Sequence, residues 1–190
     1  ILEKRKEIIS ILCISRFVDF KTGGILALLR LIHQKRHLRC KIIGYGKFAF
    51  VLKFWTKMLR IEDRIEFLGM LEPHQLEDLI SRADVCFAQG TSLLQCVSMG
   101  KPTIVHSYSS PFSMLFPSKM SAGIWGLDEC SFGEFYFLQK YNICDCFDYI
   151  ERNYSDIVKT TLTEAMSKSE KTVFDFVLDK LEDAKFVDLR

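Results

Sequence analysis

Residues 83–105 read ADVCFAQGTSLLQCVSMGKPTIV, and the fold turns on them. Val85 to Phe87 has the length and apolarity of a buried strand. Gly90 follows as a sharp turn, since glycine takes positive φ without a Cβ penalty. A helix opens at Thr91-Ser92 with Ser92 as its expected cap, stops at Gly100, and yields to another strand after Pro102. A strand that feeds a helix N-terminus at the edge of a parallel sheet is a phosphate site in α/β proteins. Unsatisfied N–H groups and the helix dipole both face the ligand there. The stretch implies a nucleotide-binding domain.

The same alternation continues on both sides. Ile8 to Ile14 is an apolar run of strand length, and the turn Ser15 to Gly24 leads into a helix ending near His33. Leu38 to Ile43 is the second strand, closed by Gly44-Tyr45-Gly46. A helix from about Phe48 to Leu59 follows. Its expected apolar face is Val51, Phe54, Trp55, Met58 and Leu59, with Lys53, Lys57 and Arg60 off it. Ile65 to Leu68 is a third strand, and Pro73 opens a helix that runs to about Arg82. This order predicts an α/β, Rossmann-like parallel sheet of about six strands with right-handed crossovers, helices on both faces, and C-terminal helices. Past Tyr108 the pattern loosens. A sixth strand is expected near Ile143 to Phe147, and helix from Asp148 onward with a break near Ser167-Lys168-Ser169. Phe174, Val177, Leu178 and Leu181 would give the last helix an apolar stripe. The 190 residues suit one domain, with a core over 1–108, an irregular segment over 109–147 and terminal helices over 148–190.

The chain opens at Ile1 and is expected to be a piece of something longer. No apolar run approaches a membrane span and no signal peptide is visible. Seven Cys without a C-x-x-C pair suggest reduced thiols in the cytoplasm, and Cys144-x-Cys146 is too tight for a metal site on its own. Net charge is +2 but uneven. Residues 1–64 carry 15 Lys/Arg against 5 Asp/Glu, and residues 65–190 carry 11 against 19. The first half thus suits an anionic partner such as phosphates, a membrane surface or an acidic protein; the alternative is solvated faces that differ in sign. Nothing points to nucleic acid.

Arg16 and Lys21 fall in the turn after the first strand, at the sheet edge where ligands bind. Two cations in one loop suit a diphosphate clamp, Arg through a fork and Lys as a point charge; the alternative is two solvated loop charges. Gly44-x-Gly46-x-x-Ala49 matches the dinucleotide fingerprint only nominally, because a tight strand-to-helix turn explains both glycines. Ser92-x-x-Gln95 reads as a capping box, or else the Gln95 amide faces a ribose. Thr91 and Ser92 either cap the helix or also donate hydroxyls to a phosphate. His74 and His106 lack a carboxylate or Cys at catalytic spacing and read as surface or packed residues. No Ser-His-Asp set, paired carboxylates or Walker loop is present. The basic helix from Phe48 to Arg60, with Phe54 and Trp55, either lies on anionic lipid or packs its aromatics inward.

Together these pieces resemble the donor-binding C-terminal half of a GT-B glycosyltransferase of the retaining, glycogen-synthase-like group, over Ile8 to about Val105. Ser15-Arg16-x4-Lys21-x-Gly23 is similar to the family's Gly-Arg…Lys-Gly loop, whose Arg and Lys hold the sugar-nucleotide diphosphate. Lys41 to Gly46 resembles its "ivGdG" strand end, and Arg64 to Gly69 its "V-x-F-x-G", beside which the base sits. The resemblance thereby makes Gly69, Met70 and Leu71 base-contact candidates. Leu79 to Val85 and Gly100 to Val105 resemble "ly-x-x-Ad-v" and "G-x-P-V-I". The chain departs from the family at its Glu-x7-Glu motif. Ala88 to Ser92 replaces the Gly-rich loop, and Gln95 stands where the second Glu bonds the ribose. The "Gly-Thr-Ser-x-Leu-Glu" form of bacterial surface-polysaccharide transferases is the nearer match.

The resemblance implies transfer of a sugar from a nucleotide-sugar donor to a glycan or lipid-linked acceptor, with no cofactor beyond the donor and no metal. Arg16 and Lys21 would carry the catalytic charge, and Gly90, Thr91, Ser92 and Gln95 would bind the donor. It also implies a separate N-terminal acceptor domain, a cytoplasmic location that extends to the inner membrane face, and a piece inactive in isolation. Two other readings stay open: a sugar-nucleotide epimerase of the same architecture, such as a UDP-GlcNAc 2-epimerase, and a non-catalytic interaction domain of this fold.

Overall fold

A computed structural model describes residues 9–106, 122–127 and 141–169. Short apolar segments form strands β1 (Ser10–Ile14), β2 (Arg39–Ile43), β3 (Ile65–Gly69), β4 (Val85–Ala88) and β5 (Thr103–His106). Helices α1 (Asp19–Gln34), α2 (Ala49–Met58), α3 (Pro73–Arg82) and α4 (Thr91–Ser98) alternate with them. A sixth strand, β6 (Ala122–Ile124), and helices α5 (Ile143–Arg152) and α6 (Tyr154–Ser169) complete the described set. The sheet order is β3-β2-β1-β4-β5-β6. The first five strands run parallel and β6 joins the edge antiparallel to β5.

Period-2 alternation explains why the central strands are apolar throughout. Ile11 and Cys13 of β1 face one layer with α1 and α5, while Leu12 and Ile14 face the other with Ile80 of α3 and Leu93 and Val97 of α4. Both faces are dry, so neither has a polar register.

Several motif residues hold the scaffold together. The Asp84 carboxylate accepts from the backbone N–H of Ile9 (3.1 Å) and Ser10 (2.9 Å), which fixes the start of β1 beside β4. Lys101 donates to the carbonyls of Ser81 (2.6 Å) and Ala83 (3.0 Å) at the end of α3. Arg64 donates to the carbonyls of Ile32 and Lys35 at the end of α1. Cations at helix C-termini satisfy orphan carbonyls and oppose the dipole.

Four expectations are corrected. Ile143 to Phe147 is not a strand but the start of α5. Asn142 caps it by accepting from the N–H of Cys144 and Asp145, and Ile143, Cys146, Phe147 and Ile150 recur at helical period on its buried side. The sixth strand lies instead at Ala122–Ile124. The helical break falls at Asn153, while α6 continues through Ser169. On α2, Leu52 and Thr56 are the buried residues, whereas Phe54 and Met58 point to solvent. Leu52 and Thr56 are four apart and lie toward the sheet, which puts Phe54 and Met58 on the far arc. The stripe from Phe174 to Leu181 and most of 109–147 lie outside the described residues.

Candidate functional site

The carboxyl ends of β1, β2, β3 and β4 open onto one cavity of about 470 Å³. Arg16, Lys21, Gly69, Met70, Leu71, Gly90, Thr91 and Ser92 all line it. Gln95 does not.

Arg16 sits on a loop clamped from both sides. Its neighbours Ser15 and Phe17 are buried, while Arg16 itself is exposed. Ser15 N–H donates to the Ile43 carbonyl (3.0 Å), Phe17 N–H to the Tyr45 carbonyl (2.8 Å), and Phe48 N–H to the Phe17 carbonyl (3.2 Å). The Phe17 ring packs edge-on to Phe67, centroids 6.5 Å apart. The two glycines at 44 and 46 make this approach feasible. A Cβ on Gly44 would lie 1.9 Å from the Ser15 carbonyl oxygen, and one on Gly46 would lie 2.5 Å from that of Phe17. The Gly-x-Gly thus serves backbone packing between two loops, in line with the turn reading rather than a dinucleotide fingerprint. Among the described residues, nothing pairs with the Arg16 guanidinium.

Lys21 is not a loop residue. Helix α1 begins at Asp19, because Val18 is already extended and its carbonyl accepts from the N–H of Lys21 (3.1 Å) and Thr22 (2.9 Å). Lys21 therefore stands in the first turn, where the helix dipole disfavours a cation by about 0.3–1 kcal/mol. That position gives no local stabilisation, and its charge adds to that of Arg16 across the cavity.

On the opposite wall, α4 begins one residue earlier than the Ser92 cap reading requires. Gly90 is the N-cap at φ 62°, ψ −135°, and its carbonyl accepts from Leu93 (3.1 Å) and Leu94 (3.3 Å). A glycine cap has no side chain to offer the first turn. Among the described residues nothing accepts from the backbone N–H of Thr91 or Ser92. The Ser92–Gln95 capping box is not formed. Gln95 is half-buried a full turn into α4, and only its backbone carbonyl is bonded, by the Ser98 hydroxyl at 2.9 Å.

Tyr45, Phe20 and Gln89 also line the cavity and carry no role in the sequence reading. Tyr45 sits between the two glycines with its ring 55% exposed at the mouth. Gln89 is buried, its amide N–H₂ bonded to the His106 carbonyl and 3.3 Å from His106 Nδ1; its Oε1 has no partner among the described residues. The signal for both was position, since each falls at the carboxyl end of a strand. His106 is buried and stacks on Phe87 with ring centroids 4.7 Å apart, and His74 is exposed. No Asp or Glu lines the cavity. Two cations and unfilled helix N–H groups without a carboxylate make a site for a polyanion.

A family model described as "Glycosyl transferases group 1" matches residues 2–121, more than half of the chain. No curated protein matches. Among solved structures, a point mutant of Staphylococcus aureus TarM, in complex with fondaparinux, α-GlcNAc-glycerol and UDP, is 14% identical at a TM-score of 0.62, over 95% of this chain and 36% of TarM. Anabaena HepE, with UDP and glucose, is 16% identical at 0.60, over 93% of this chain and 48% of HepE. The C-terminal domain of the group 1 protein LpcC from Francisella tularensis is 13% identical at 0.59, over 86% of this chain and 85% of that domain. The chain thus spans less than half of TarM or HepE but most of the isolated C-terminal domain.

Proposed function

We propose that this chain, which belongs to the group 1 glycosyl transferases and has the fold of a GT-B C-terminal domain, supplies the nucleotide-sugar donor site of a glycosyltransferase. The observation that carries the reading is the convergence of Arg16, Lys21 and the α4 N-terminus on one carboxylate-free cavity. A nucleotide sugar carries its charge on the diphosphate, which becomes the leaving group. Fixed donors aimed at that group contribute several kcal/mol of transition-state stabilisation without reorganising. Arg16 offers a forked contact, Lys21 a point charge, and Thr91 and Ser92 their backbone N–H groups. Gly69, Met70 and Leu71 flank the base, and Gln95 reaches for the ribose from one turn behind Thr91. The acceptor, a glycan or lipid-linked sugar, belongs to a second domain.

The test is calorimetric titration of the intact protein with UDP, GDP and their sugars. UDP comes first because TarM and HepE are seen with it. Saturable binding below millimolar is expected, and none at millimolar ligand overturns the site. Gln95→Glu adds a second outcome. Since Gln95 caps nothing here, a carboxylate is expected to strengthen donor binding about 5-fold, the gain of a charge-assisted bond to ribose over a neutral one. Unchanged affinity would favour a non-catalytic domain in which this position no longer meets a ligand.

A further inference from the structure

Residues 20–61 contain ten Lys/Arg and no Asp or Glu. Several of those cations are engaged elsewhere. Lys35 pairs with Asp148 (2.6 Å), Lys41 with Glu66 (3.4 Å), and Arg39 donates to the Asp63 carbonyl. Those on and around α2 are not: among the described residues Lys47, Lys53, Lys57 and Arg60 form no ion pair. The same helix turns three large apolar side chains into water, Phe50 at 70%, Phe54 at 58% and Met58 at 63% exposure. Spaced four apart, they form a single stripe, and Lys53 and Lys57 run along its edge. Scattered exposed apolar residues are ordinary, but a continuous stripe edged by unpaired cations is not.

We propose that α2 docks this domain on an anionic lipid surface, with Phe50, Phe54 and Met58 inserted among the acyl chains and Lys47, Lys53, Lys57 and Arg60 at the headgroup phosphates. The apolar stripe gains by leaving water while the lysine stems lie along it and keep their ammonium groups at the interface. Charge selects this occupant over a second copy of the chain, because two such helices face to face would set like charges against each other. The cation groove continues past the helix end, where Met58 and Arg60 border Arg36 and His33. Helix α2 starts beside the loop that carries Arg16 and runs back along the sheet. Laid flat on a membrane, it leaves the cavity at the strand ends open to water. The proposal stands whether or not that cavity holds a nucleotide.

The experiment is co-sedimentation of the intact protein with phosphatidylcholine vesicles, with and without phosphatidylglycerol. Binding is expected to the anionic vesicles, at least ~10-fold weaker to the neutral ones, given about 1 kcal/mol for each basic residue near the surface. Lys53→Glu with Lys57→Glu, and separately Phe50→Ser with Phe54→Ser, should each lower partitioning at least ~10-fold. Melting temperature and UDP titration should stay unchanged, because all four side chains are exposed. Equal binding to both vesicle types, or variants that bind like the parent, overturns the proposal. So does a shift from dimer to monomer on the Phe substitutions, which would assign the stripe to a second copy.

Discussion

Replacing Arg16 with alanine is expected to lower turnover of the intact enzyme by about 10²–10³-fold, the loss typical when one fixed donor to a developing anion is removed. UDP affinity should fall as well, while uridine, which has no phosphates, should bind as before. The separation follows from where the residue sits. Its guanidinium is exposed and unpartnered among the described residues, whereas Ser15 and Phe17 on either side are buried. Truncation therefore removes charge without opening the core, and the melting temperature should move little. Arg16→Lys should restore part of the UDP affinity and less of the turnover, because a point charge cannot reproduce a fork. Equal losses for uridine and UDP would show that residue 16 acts by shaping the loop, and the charge argument would fall.

The legible parts of the chain were those in which one physical constraint dominates. Strands β1 to β5 are buried on both faces, so each reads as a short apolar run, and Gly44, Gly90, Gly100, Pro73 and Pro102 mark the turns between them. Arg16 was accessible for the same reason: a cation just past a strand end faces the ligand edge of such a sheet. Ile143 to Phe147 misled because five apolar-rich residues fit either period, although Asn142 and Asp145 already spelled the capping box that made them helix. Strand β6, only Ala-Gly-Ile, has no pattern of its own and exists by pairing with β5. Helix α2 is apolar nearly all round, so its buried arc is decided by the sheet and not by its sequence. Gln89 and Tyr45 were missed because a residue at a strand end faces the cavity or the core according to register.

Gly44→Ala is the substitution expected to cost the most stability, about 3 kcal/mol or more. Two effects add there: φ is +143°, a region that side chains rarely occupy, and the new Cβ would fall 1.9 Å from the Ser15 carbonyl oxygen and 2.9 Å from its carbon. The obstacle is backbone, and that backbone is held by the bond from Ser15 N–H to the Ile43 carbonyl. It cannot rotate away as a side chain would. For a domain of this size each kcal/mol is worth about 2–4 °C, so thermal melting should drop by roughly 6–12 °C. Gly69→Ala provides the comparison. Its φ is +70°, yet no atom lies within 4 Å of where its Cβ would stand, so only the backbone strain of about 1 kcal/mol remains. Relief of the Gly44 clash must also push the Arg16 loop outward, so UDP binding to the folded fraction should weaken along with stability. If both alanine variants melt alike and bind UDP alike, close packing of the two loops does not position Arg16, and the geometry of the anion site must be set elsewhere.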